Sequence, residues 1–140
     1  MVRTRLAPSP TGDPHIGTLF QALFDYVFAK KNHGRFIVRI EDTDQARQVK
    51  NSETAIFKAL DWLNLTPDES PLHGGSFGPY RQSERLAIYK KHALDLIDQG
   101  HAYYCFCSGQ RLDQVRQSLQ QQGLPPMYDR LCRSLDPKQA

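Results

Sequence analysis

The stretch RLAPSPTGDPHIGT, residues 5–18, links a short apolar run to a strongly apolar segment through three prolines, two glycines and a histidine. Proline and glycine suit a loop, but a loop has no need of histidine. Val2 to Ala7 is partly apolar and predicts a first strand. From Ile16 to Lys31 the chain reads IGTLFQALFDYVFAKK, with Leu19, Phe20, Leu23, Phe24, Val27 and Phe28 at helical spacing. That pattern predicts a helix with a wide buried face. Asn32-His33-Gly34 is a helix stop. RFIVRI at 35–40, β-branched and aromatic, predicts a second strand. Strand, helix and strand with short links make a βαβ unit, hence parallel pairing.

Farther along, Asn51 to Leu63 predicts a second helix with Ile56, Phe57, Leu60 and Leu63 on one face and Ser52 as its cap. The loop SPLHGGSFGPYRQS at 70–83 interrupts the pattern. Ser83-Glu84 opens a third helix that Gly100 ends. HAYYCFCS at 101–108 reads as a strand, and RLDQVRQSLQQQG at 111–123 as a more polar helix. The remaining tail shows no periodicity.

Composition narrows the class. The 140 residues are 39% hydrophobic, enough for a real core, and carry a net charge of +3. The pI of 8.8 is compatible with an anionic partner without demonstrating one. Mean hydropathy is −0.58, and no apolar run approaches the roughly 18 residues of a membrane span. MVRTRLAPSP lacks the apolar core of a secretory signal. Three cysteines, an odd and sparse count, do not form a disulfide framework, so the expected location is the cytoplasm.

If the first strand ends near Ala7, the loop 8–14 lies at its carboxyl end, where open α/β sheets bind ligands. The following helix aims its N-terminus there, favouring an anion such as phosphate. Asp13 is a candidate cap and Pro14 suits the first turn. Gly17 leaves room for a nucleotide against the backbone, and His15 can donate to a phosphate oxygen. From these residues alone an ordinary helix entry with a solvated histidine is the stronger reading, since His-x-Gly is a weak motif.

The longer string APSPTGDPHIGT resembles the first signature of the class I aminoacyl-tRNA synthetases, with His15-Ile16-Gly17-Thr18 in place of its "HIGH" sequence. PSPTG before it, RIEDTD at 39–44 and GPYRQSER at 78–85 are similar to the glutamyl-type enzymes. The resemblance runs over essentially the whole chain. It implies an α/β fold: the first half of a Rossmann-like catalytic domain with a parallel sheet in residues 1–80, and the start of an inserted zinc-bearing region in 81–140. It also implies ATP with Mg²⁺, L-glutamate and tRNA as substrates and partners, no membrane, and a monomeric parent enzyme. His15, Gly17 and Thr18 are then catalytic, and Ser9, Thr11, His15 and Gly17 contact ATP. Arg5, Ala7, Ser9 and Glu41 contact glutamate, Arg5 as a carboxylate clamp and Glu41 opposite the ammonium group. Alone, Arg5, Arg39 and Glu41 also read as solvated strand ends or a surface ion pair, and Asp42 and Asp44 as loop braces.

Cys105 and Cys107 fall on one face of an extended segment. With Tyr128 and Cys132 they resemble the zinc site of many bacterial glutamyl-type enzymes. Relatives with a histidine two residues past the last cysteine differ from this chain, which has Ser134 there. Three buried thiols packed as small hydrophobes are the plain alternative. The family's second ATP motif, a lysine–serine loop, is not among these residues, and the expected activity of the 140 residues alone is therefore incomplete. A glutamyl-queuosine paralogue, a glutaminyl enzyme and a non-enzymatic zinc- or nucleotide-binding module stay open on sequence.

Overall fold

A computed structural model describes residues 1–135; the end of the predicted second region, 136–140, lies outside the described residues. The chain divides into two compact units, Met1–Ile88 and Tyr89–Ala140; the sequence reading set this division at 80/81.

Unit 1 opens with β1 (Arg3–Leu6), α1 (Ile16–Lys31) and β2 (Arg35–Val38). The strands pair in parallel, Arg3 opposite Arg35 and Leu6 opposite Val38. Pairing runs beyond both strands, with Arg39 N–H donating to the Leu6 carbonyl (3.1 Å) and Glu41 N–H to that of Pro8 (2.9 Å). On the other edge Ile37 of β2 meets a single parallel bridge at Glu69, and Ile40, just past the strand, meets one at Arg81. Gly34 is required for the tight entry into β2, because a Cβ there would lie 2.3 Å from the Val2 carbonyl oxygen.

The core joins Leu6, Phe36, Val38 and Ile40 to Ala22 and Ala29 of α1 and to Ile56 and Leu60 of α2 (Ser52–Trp62). Tyr26 meets Phe36 edge-on at 5.7 Å. Here α1 departs from expectation. Its buried stripe is Leu19, Ala22, Tyr26 and Ala29, whereas Phe20, Leu23, Phe24, Val27 and Phe28 are 45–62% exposed. Both faces of this helix are apolar, and small alanines let it approach the sheet closely.

Three local readings also need correction. The α1 cap is His15, not Asp13, so Pro14 precedes the cap rather than entering the first turn. Asn51, left-handed at φ 68°, occupies the α2 cap position, and the Ser52 hydroxyl binds elsewhere. The third helix starts as a 3₁₀ turn (Gln82–Arg85) before α3 (Leu86–Asp98).

In unit 2, α4 spans Gly109–Gln121, with the Ser108 hydroxyl accepting from Arg111 N–H. Residues 102–107 form no strand, because no partner strand lies beside them among the described residues. A 3₁₀ turn (Leu131–Ser134) follows. Among the described residues of this unit only Cys132 is buried. No described helix is long and apolar enough to cross a membrane.

Candidate functional site

The parallel ladder decides what stands at the carboxyl ends of β1 and β2. Its last rung sets Glu41 beside Pro8. The Arg5 guanidinium, one residue before the end of β1, reaches Glu41 Oε1 at 2.6 Å, and Arg39 Nη2 reaches the same oxygen at 3.1 Å. One carboxylate oxygen therefore serves two cations. Burial pushes the Glu41 carboxyl up, but the hydrogen bonds and charges of Arg5 and Arg39 outweigh it and hold the group below the ordinary Glu range. Behind them on α1, burial raises the Asp25 carboxyl against the charge of Arg5, and Asp25 Oδ2 is buried without a hydrogen-bond partner.

Loop 8–14 is pinned from two directions. Val49 N–H donates to the Pro10 carbonyl at 3.0 Å. The Ser52 hydroxyl donates to the Gly12 carbonyl and accepts from Gly12 N–H. Ser52, expected to cap its own helix, instead clamps the loop that opens the site. Pro8, Ser9, Thr11, Gly12, His15 and Thr18 line a cavity of about 260 Å³ here. Of the expected contact residues, Ala7, Ser9, Thr11, His15 and Gly17 are exposed and Thr18 is half-buried.

The His15 ring folds back over the first turn of α1, where Nδ1 accepts from Gly17 N–H at 3.0 Å. A lone pair on Nδ1 requires the ring proton on Nε2, so the free corner of the ring is a donor. Gly17 makes this fold-back fit: a Cβ there would stand 3.1 Å from Nδ1. The glycine's first service is thus to the histidine. The first-turn amides are also less available than the sequence suggested, since Thr18 N–H already donates to the His15 carbonyl. Asp42 braces the neighbouring loop, accepting from Ser83 N–H (2.8 Å) and the Ser83 hydroxyl (2.6 Å).

In unit 2 the ligand atoms of Cys105, Cys107 and Cys132 lie within 4.8 Å of one another. Cys107 Sγ is 3.5 Å from Cys132 Sγ, and the Tyr128 hydroxyl is 3.3 Å from Cys105 Sγ and 3.6 Å from Cys107 Sγ. Four donors around an ion with metal–sulfur bonds near 2.3 Å would stand about 3.8 Å apart, so this donor set fits a tetrahedral thiophilic cation. The Tyr128 hydroxyl and the Phe106 N–H, both bonded to Cys132, lower its thiol to about 7. Tyr128 itself is held protonated by its thiol neighbours, Cys105 first. The sequence pattern names all four residues but neither Arg111, which contacts Cys107 Sγ, nor Asp129, which pairs with Arg111. A guanidinium four residues after a cysteine at a helix start was the one available signal.

The chain is similar to known proteins along its whole length. All 140 residues match the family model described as tRNA synthetases class I (E and Q), catalytic domain. The glutamate–tRNA ligase of Fusobacterium nucleatum is 57% identical over 134 residues, 96% of this chain and 26% of that protein. That of Stutzerimonas stutzeri is 55% identical over 139 residues, 99% of this chain and 28% of the relative. The chain thus spans about a quarter of the length of these relatives. A crystal structure of a glutamate tRNA ligase from Elizabethkingia meningosepticum, in complex with its amino acid, superposes with a TM-score of 0.87 at 45% identity, over 99% of this chain and 29% of that one. The glutamate-tRNA synthetase of Elizabethkingia anophelis gives 0.88 at the same identity and coverage. Parallel strands with a clamped loop at their carboxyl ends and a match along every residue carry one conclusion: this chain belongs to the catalytic-domain family of the class I glutamyl- and glutaminyl-tRNA synthetases.

Proposed function

We propose that these residues form the amino-acid and ATP half-site of a glutamate–tRNA ligase. The observation that carries the reading is the meeting of Arg5, Arg39 and Glu41 at the ends of two paired parallel strands, beside the cavity over the start of α1. Free glutamate offers two carboxylates and an ammonium. Binding exchanges the internal Arg5–Glu41 pair for two intermolecular ones, guanidinium to carboxylate and Glu41 to ammonium. Arg39 keeps Glu41 charged while Arg5 changes partner.

His15 Nε2–H donates to a phosphate oxygen of ATP, with Ser9 and Thr11 as further hydroxyl donors on the pinned loop. The carboxylate of glutamate attacks the α-phosphorus, the bond to the bridging oxygen breaks, and pyrophosphate leaves. The glutamyl group then passes from AMP to the terminal ribose hydroxyl of tRNA. No protein nucleophile takes part; these residues position the reactants and meet developing charge. Mg²⁺, when bound, neutralises charge on the phosphates. The cysteine cluster, with Tyr128 as fourth donor, holds a structural zinc ion and takes no step in this chemistry. Free thiols so close together suit a reducing compartment, which supports the cytoplasm.

The test is ATP–pyrophosphate exchange by a polypeptide of the relatives' full length carrying this chain. Glu41→Gln should raise the KM for glutamate roughly 10- to 100-fold, the equivalent of about 1.5–3 kcal/mol for a hydrogen bond to a charged group. The KM for ATP should change less than about threefold. An unchanged glutamate KM removes Glu41 from the site. Faster exchange with glutamine than with glutamate in the unaltered protein overturns the substrate assignment.

A further inference from the structure

The ligand atoms of the cysteine cluster come from two arms, 105–107 and 128–132, with the whole of α4 between them. Polar side-chain contacts, besides the donors themselves, join the two arms. Arg111, in the first turn of α4, sends Nη1 to Cys107 Sγ at 3.4 Å and to Asp129 Oδ1 at 3.3 Å. Its Nη2 reaches Asp129 Oδ2 at 2.5 Å. Asp129 Oδ1 in turn accepts from Leu131 N–H at 3.3 Å, which sets the turn that carries Cys132. A single planar fork therefore touches a sulfur of one arm and a carboxylate of the other.

We propose that Arg111 and Asp129 are the positioning pair of this metal site, assembling its donors before the ion arrives and facing its excess negative charge afterwards. The inference rests on the reading that the cluster takes a thiophilic divalent cation. A half-exposed ion pair elsewhere on the surface would contribute little. This one differs because its guanidinium also binds a ligand sulfur. Three thiolates around one divalent ion leave a net charge of −1, and Arg111 is the cation placed against it. Lysine cannot substitute fully, since a point charge cannot bind sulfur and both carboxylate oxygens in one plane.

The test uses the 140-residue chain with Co²⁺ as optical probe and Zn²⁺ in chelator competition. The unaltered chain should bind one ion and show thiolate-to-cobalt charge-transfer absorption. Arg111→Ala should keep that stoichiometry, weaken both metals by about 10- to 100-fold and shift the charge-transfer band. The near-isosteric Asp129→Asn should lose less, and Arg111→Lys should fall between Arg111→Ala and the unaltered chain. Because the two residues act as a unit, the double variant Arg111→Ala/Asp129→Asn should lose no more than Arg111→Ala alone. Unchanged affinity and band position in Arg111→Ala overturn the proposal while leaving the metal site standing, as do fully additive losses. No cobalt absorption by the unaltered chain overturns the metal reading itself, and the inference with it.

Discussion

The strand-end site of unit 1 and the cysteine cluster of unit 2 bring distant residues together by different means. Arg5, Arg39 and Glu41 stand where a main-chain ladder puts them, with Phe36, Val38 and Ile40 fully buried beneath. Cys105, Cys107, Tyr128 and Cys132 are gathered by thiols, one hydroxyl and one guanidinium, in a unit where only Cys132 is buried among the described residues. In the first, geometry follows from hydrophobic burial and backbone hydrogen bonds. In the second, side-chain chemistry supplies what a core would otherwise supply, as in small domains that fold around a metal. Losses in the core should therefore damage the first site, and losses of ligation the second.

The largest effect expected is from Phe36→Ala. The ring is fully buried and packs edge-on against Tyr26, so its removal should cost unit 1 about 3–5 kcal/mol. Denaturant unfolding followed at unit 1 amides would measure this, while Co²⁺ binding by the cysteines should persist. Joint loss of both would break the contrast.

Arg3→Met comes next. Arg3 makes two hydrogen bonds, at 2.7 and 2.8 Å, to Glu69, which is 7% exposed. Tyr80 donates to the same carboxylate. Losing the arginine should cost about 1–3 kcal/mol at neutral pH. The hydrogen bonds from Arg3, helped by Tyr80 and opposed by burial, hold the Glu69 carboxyl below its ordinary value of 4.5. A group depressed in the fold stabilises it above the unfolded value and loses that contribution as pH falls through the folded one. Unit 1 should therefore weaken below pH 4.5, and Arg3→Met should show a flatter acid limb in melting temperature against pH. An identical limb would remove Glu69 from the acid response.

The smallest effect is expected from Ser52→Ala, which leaves both polar groups of Gly12 without the hydroxyl. About 1 kcal/mol of local stability should go, raising amide exchange at Gly12 roughly fivefold with little change at Phe36. Equal acceleration at both would show that the clamp belongs to the core rather than to the loop.

Much of unit 1 was legible because its signals are periodic and local. RFIVRI and the Asn-His-Gly stop each describe their own segment, and parallel pairing follows from one helix between two strands. The facing of α1 was not legible, since an apolar stripe of phenylalanines outscores two alanines on any periodic count, although closeness to the sheet favours the alanines. Ser52 escaped for a related reason: its partner, Gly12, lies 40 positions away. At the cysteines, residue type and spacing suggested the donors, while Arg111 and Asp129 became visible only once the arms were placed together. The strand expected at 101–108 failed because alternation describes a backbone direction and cannot provide a neighbouring strand.

The fold-back of His15 sets a limit on its chemistry. Nδ1 carries the ring's available lone pair, and Gly17 N–H already holds it. To act as a general base through Nδ1, the imidazole would have to surrender its contact with Gly17 N–H and leave its own helix uncapped at the moment of reaction. The same contact leaves the opposite nitrogen free to give a hydrogen bond without rearrangement. Position 15 is thereby committed to one direction of proton sharing, and a substrate that needs deprotonation must lose its proton to another group.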